Sequence, residues 1–245
     1  MKRRIVALIV ASAAFGVTAC SNETETSVDA AQPSAAAAWD QPPRIETAVR
    51  QDAAIVLQGT AGPGSRVVLR GMDGSATAAA ADGSGRFELR LAAPSGDVLL
   101  APEVQNGEVA SPSPERLVIL RAGPIALVSP GEPARRLDAA GPLDAVDADG
   151  SVMVLGGRAT QAPVVAVDGV PMAPTQGRNG RWRLTANMAG PTRITVDGRD
   201  YLFPGGGSAP ANTAFAVHRA GEGWRVDWTI PPSGRQSTWL PDPVR

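Results

Sequence analysis

Few side chains in this 245-residue chain are equipped for covalent or acid–base chemistry. It has one histidine, His218, and one cysteine, Cys20. A serine–histidine–carboxylate relay needs its histidine beside a nucleophilic serine, and no G-x-S-x-G turn surrounds any serine here. In the alternating run from Ala214 to His218, the histidine shares a face with Ala214 and Ala216, opposite Phe215 and Val217. That pattern turns it towards solvent. One histidine without a free thiol cannot build an ordinary zinc site. Asp144, Asp147 and Asp149 crowd ahead of Gly150 in "LDAVDADGS". Calcium favours clustered carboxylates and a glycine turn, but the EF-hand spacing is missing and no glutamate closes the loop. A solvated interdomain connection fits these residues better; a calcium ion bound there would stiffen it. Trp224, Trp228 and Trp239 are the aromatic candidates for a partner or ligand surface. Trp224 and Trp228 share a face with Val226, which also suits a core, and Trp239, in "STWLPDP", is the one expected to be most exposed. The sequence therefore predicts no catalytic residue, no cofactor and no metal ligand.

Cys20 stands behind a recognisable leader. Met1-Lys2-Arg3-Arg4 is a positive patch, and Ile5 to Val17 follows without a charge. An apolar run of this length suits a signal peptide and falls short of the roughly 20 residues a spanning helix needs. Val17-Thr18-Ala19-Cys20 resembles the bacterial lipobox: a branched apolar residue, two small ones, then cysteine. That resemblance implies a diacylglyceryl thioether on Cys20 and cleavage before it. A thioether cannot enter a disulfide, and an exported chain without other cysteines avoids mispairing. Two acyl chains suffice for stable anchoring. Ser21, in place of Asp, implies by the same resemblance the outer membrane, with the protein facing the periplasm.

Composition narrows the partners. Without the leader, the chain carries 20 basic and 24 acidic residues, and every basic one is arginine. That balance gives no electrostatic support to nucleic-acid binding. The 27 Gly and 22 Pro, set among many Val and Leu, suit short strands divided by frequent turns. Ser21 to Pro43 has almost no large apolar residue except Trp39. Such a segment cannot bury a core and is expected to be disordered, a tether of roughly 25–30 Å.

Beyond it the chain repeats. "IVLQGTAGPGSRVVLRG" (55–71) aligns without a gap with "MVLGGRATQAPVVAVDG" (153–169). Gly59 meets Gly157, Ala61 meets Ala159 and Val67 meets Val165. Further on, "SGRFEL" (84–89) aligns with "NGRWRL" (179–184), so Phe87 meets Trp182. Within each block the period is two. Phe87, Leu89 and Leu91 alternate with Glu88 and Arg90, and Trp182 and Leu184 with Arg181 and Arg183. Such alternation predicts antiparallel sheets with one buried face.

The first block resembles the bacterial immunoglobulin-like repeats of envelope and surface proteins. Gly59, Ala61, Pro63, Gly64, Ser65, Val67 and Leu69 fit their G-x-A-x-P-G-S-x-V-x-L pattern. Asp82, Gly85 and Phe87 fit the hairpin that follows, and the match covers residues 53–91. In the second block Gly157, Ala159, Val165, Val167, Gly180 and Trp182 fit, while Gln161-Ala162-Pro163 replaces the Pro-Gly-Ser turn. The expected fold is all-β: two small antiparallel immunoglobulin-like sandwiches and a C-terminal hairpin, after a signal peptide and a disordered tether. The expected boundaries are a leader (1–19), a lipidated tether (20–43), a first sandwich (44–121), a linker with the first strand of the second unit (122–150), a second sandwich (151–204), and a hairpin with a tail (205–245). In the last of these, "AGEG" (220–223) makes the turn, and Trp224, Val226, Trp228 and Ile230 form one apolar face.

Such repeats are nearly silent about function. The expectation is a non-enzymatic, lipid-anchored envelope module that binds a protein or a cell-wall glycan. The alternatives are an envelope hydrolase whose site is gathered from distant loops, and a structural subunit whose C-terminal hairpin pairs with a partner sheet.

Overall fold

The computed structural model describes residues 41–138, 141–207, 213–230 and 234–243. Cys20, the leader and nearly all of the tether lie outside these residues. The first ten strands are β1 (Arg44–Gln51), β2 (Ala54–Thr60), β3 (Arg66–Gly71), β4 (Ala76–Ala80), β5 (Arg86–Ala92), β6 (Val98–Asn106), β7 (Val109–Pro112), β8 (Arg116–Ile119), β9 (Ile125–Ser129) and β10 (Glu132–Arg136). The next are β11 (Ala145–Asp149), β12 (Val152–Arg158), β13 (Val165–Val167), β14 (Val170–Met172), β15 (Thr175–Gln176), β16 (Arg181–Asn187), β17 (Thr192–Val196) and β18 (Arg199–Phe203). The last are β19 (Phe215–Arg219), β20 (Gly223–Ile230) and β21 (Gly234–Pro241). The protein is all-β, and every ladder is antiparallel.

Four sheets result. The first has the order β1-β2-β5, and the second β10-β9-β8-β6-β3-β4, with β7 on β6. Alternation places Ile45, Ile55, Leu57, Phe87 and Leu89 of the first against Val67, Leu69, Val104, Leu117 and Leu127 of the second. The third sheet is β15-β16-β12-β11-β21-β20-β19, and the fourth β14-β13-β17-β18. Between them lies a second core that includes Met153, Leu155, Trp182, Ile194, Phe203 and Trp239. The aligned sequence blocks occupy equivalent ladders. Gly59 pairs with Phe87 between β2 and β5, and Gly157 with Trp182 between β12 and β16. The Ala61 N–H donates to Gly85 O, and the Ala159 N–H to Gly180 O, each at 2.8 Å.

A third core joins the two sandwiches. Val118, Leu120, Ala126, Val128 and Ala134 on the outer face of the second sheet meet Ala145, Val226, Trp228 and Leu240 on the third. The sequence states the cause. "LVIL" (117–120) and "IALV" (125–128) are apolar without interruption, as strands buried on both faces must be. All eight residues are at most 2% exposed. The stretch 122–150 is therefore no solvated linker: it carries β9 and β10 of the first sandwich and β11 of the second. The C-terminal segment forms three strands, and β21 inserts between β11 and β20.

Polar contacts pin the same seam. Asp147 on β11 accepts hydrogen bonds from the Ala134 N–H of β10 (2.7 Å), from Gln236 Nε2 of β21 (2.8 Å) and from the Thr238 hydroxyl. Arg136 Nη1 donates to Pro241 O at 2.8 Å. One carboxylate thus ties three strands drawn from both sandwiches.

Candidate ligand cleft

The structure scatters the chemically equipped residues. His218 is half exposed on β19, as its alternation predicts, with Nδ1 4.0 Å from the buried Asp227. Asp144, Asp147 and Asp149 do not converge. Asp144 pairs with Arg181 (3.3 Å), Asp147 is enclosed by its three donors, and Asp149 ends its strand exposed. Among the described residues no three metal-ligating side chains cluster.

The tryptophan surface requires correction. Trp228 and Trp239 are 2% and 1% exposed and cannot meet a partner. Trp239 is sealed because β21 is an inner strand: its ring packs edge-on against Phe203 at 5.7 Å, and its indole N–H donates to Ala220 O at 2.9 Å. Trp228 lies in the seam between the sandwiches. Trp224 is half-buried beneath the Arg219 guanidinium, 5.0 Å from its ring centre.

Charge gathers instead where the two sandwiches meet. Two depressions of about 380 and 400 Å³ share Arg44, Glu115, Arg135 and Arg181 as walls. Arg158, Glu46, Thr47 and Asn179 complete the second. The first sandwich supplies Arg44, which opens β1, and Glu115, just before β8. β10 supplies Arg135. The second sandwich supplies Arg158, at the end of β12, and Arg181, at the start of β16. The register Arg158↔Arg181 sets the last two opposite each other across one ladder.

These guanidiniums are unequally partnered. Arg135 donates to Ile45 O and lies 3.4 Å from Glu115 Oε1. Burial pulls its pKa down most strongly; the Glu115 carboxylate opposes this, while Arg181 and Arg44 add to it. Arg181 holds Asp144 at its back. Asp144 is 1% exposed, and its Oδ1 has no hydrogen-bond partner. Burial raises its pKa to about 6 against the pull of Arg181 and Arg158. Arg44 and Arg158 are exposed, and neither makes a hydrogen bond or ion pair through its side chain among the described residues. The cleft therefore presents four guanidiniums against the carboxylates of Glu46 and Glu115, with Asp144 held behind Arg181.

Sequence order conceals this group, since its members come from positions 44, 115, 135, 158 and 181. The one signal available was that Arg181 stands on the polar face of a strand whose other face carries Trp182. No protein-family model matches the chain, and no curated protein matches it. No helix among the described residues is long and apolar enough to cross a membrane.

Proposed function

We propose that the protein is a lipid-anchored module of the bacterial cell envelope that binds an envelope component without transforming it. Cys20 carries the lipid, the segment to Pro43 is a spacer, and the fused sandwiches are the binding body at the periplasmic face of the outer membrane. The resemblance of the leader to a lipobox supports the anchor. The strand order β1-β2-β5 over β8-β6-β3-β4, with β11-β12-β16 over β18-β17-β13-β14 as its counterpart, supports the immunoglobulin-like reading. The observation that carries binding is the arginine-walled cleft at the joint, where charged side chains of both sandwiches converge. The ligand is a cell-wall glycan. Binding to a cleft of fixed shape needs no catalytic group, and ligand sites favour such joints.

Two measurements test this. Fractionation of cells expressing Cys20→Ser should move the protein from the membrane to the soluble fraction, and the native N-terminus should carry acyl mass. Purified envelope glycan should retain the native protein and release the Arg44→Gln/Arg158→Gln double variant. A Cys20→Ser protein that stays with membranes overturns the anchor, and equal retention of both proteins overturns the binding site. One observation favours the structural-subunit reading instead: β19 ends its sheet, and its outer edge pairs with no strand among the described residues. An open edge is a template for a partner strand.

A further inference from the structure

The geometry points to the cleft at the joint as an oxyanion site that takes the carboxylate or phosphate group of an acidic sugar; this rests on the glycan-binding reading above. The guanidinium is the one cationic side chain whose planar fork matches such a group with two parallel hydrogen bonds. Arg44 and Arg158, both lining one cavity of about 400 Å³, make no side-chain hydrogen bond or ion pair among the described residues. Arg135 and Arg181 in the same cavity are already held, Arg135 by Ile45 O and Glu115, Arg181 by Asp144. The held pair fixes part of the lining and the free pair supplies the grip. Like charges converging in a partly desolvated space repel, and an anion placed among them removes that repulsion. Glu46 and Glu115 also face the cavity, so the excess of positive charge is moderate. That limits the site to one or two negative charges and disfavours a long polyanion. Thr47 and Asn179, which also line the cavity, supply neutral hydrogen-bonding groups suited to sugar hydroxyls.

The ligand class has a direct test. Full-length protein, purified in detergent, is titrated with D-glucuronate, with inorganic phosphate and with neutral D-glucose, and binding is read by calorimetry. We expect saturable binding of at least one anion, weakened about tenfold or more in Arg44→Gln/Arg158→Gln, and no saturable binding of glucose. Both substituted groups are exposed and make no side-chain hydrogen bond or ion pair among the described residues, and the melting temperature of the double variant, measured alongside, separates lost binding from a folding defect. Raising salt from about 0.05 to 0.5 M should weaken binding, because partly exposed charges are screened. Tighter binding of glucuronate assigns a carboxylated sugar, and tighter binding of phosphate assigns a phosphorylated one. Absence of saturable binding by both anions, or unchanged anion binding in the double variant, overturns the oxyanion site. Glucose binding equal to glucuronate binding overturns the charge requirement while leaving the cleft a glycan site, which separates this inference from the function it rests on.

Discussion

The indole of Trp182 lies across the backbone of Gly157, its partner in the β12–β16 ladder. A methyl group built on that glycine would stand 2.9 Å from the indole nitrogen and 2.0 Å from Pro142 O. The same indole N–H donates to Pro142 O at 2.9 Å, so backbone, ring and carbonyl are locked together. Gly59 repeats the relationship in the first sandwich, where a methyl group would stand 2.8 Å from the Phe87 ring and 2.1 Å from Arg44 O.

Gly157→Ala and Gly59→Ala should each destabilise the fold by about 2–4 kcal/mol, since the clash is with backbone and with an enclosed ring. Thermal denaturation followed by circular dichroism checks this. A change below about 0.5 kcal/mol would show that the rings can shift aside.

Asp147→Ala should cost about 3–5 kcal/mol. It leaves the Ala134 N–H, the Gln236 amide and the Thr238 hydroxyl without their acceptor inside the seam. Chemical denaturation measures the loss. The contrast is Asp149→Ala at the exposed end of the same strand, which should lie within about 0.5 kcal/mol of the native protein.

Stability should fall as pH rises from about 4 to 6, then level off. Burial raises Asp144 and Asp147 to about 6 from the ordinary value of 3.8. Between those values the native state retains protons that the unfolded chain has released, so each step up in pH favours unfolding. Asp73 and Asp82 act oppositely, because hydroxyl and backbone donors lower their pKa. Their contribution weakens only as pH drops below the ordinary carboxylate range. The melting temperature should therefore be higher at pH 5 than at pH 7.5. Asp147→Asn should flatten that slope by removing one of the two titrating groups. A melting temperature that climbs with pH across this window would contradict the assignment.

Trp228→Ala should cost about 3–5 kcal/mol and should be felt by both sandwiches. Its ring fills the seam with Val118, Val128 and Leu240. The native protein should melt in a single transition, and the variant should separate into two. Calorimetry distinguishes these outcomes, and two native transitions would show that the sandwiches unfold independently.

Much of the fold was legible because local physics settled it. The alternation in "FELRL" and "RWRL" put Phe87, Leu89, Trp182 and Leu184 inside, and the residues that the gapless alignment matched, Gly59 with Gly157 and Phe87 with Trp182, occupy equivalent ladder positions. What escaped was long-range pairing. Nothing near Trp239 tells that β21 will pair with β11, some ninety positions away, and it is this pairing that buries the ring. The uninterrupted apolar runs 117–120 and 125–128 carried the mark of strands covered on both sides, but the expected boundary at 122 cut between them. The cleft escaped for the same reason as Trp239. Arginines that look like background composition become a group only after β1, β10, β12 and β16 are assembled.

The sealed seam also has a mechanical meaning. A chain of beads joined by slack string would swing freely about each joint and spread any tug over many orientations. Here torque applied to one sandwich meets the Trp228 packing and the Asp147 tie before any swivel can begin. The pair is braced as a single strut, and the spacing of Arg44 and Arg158 is tied to the packing of that seam.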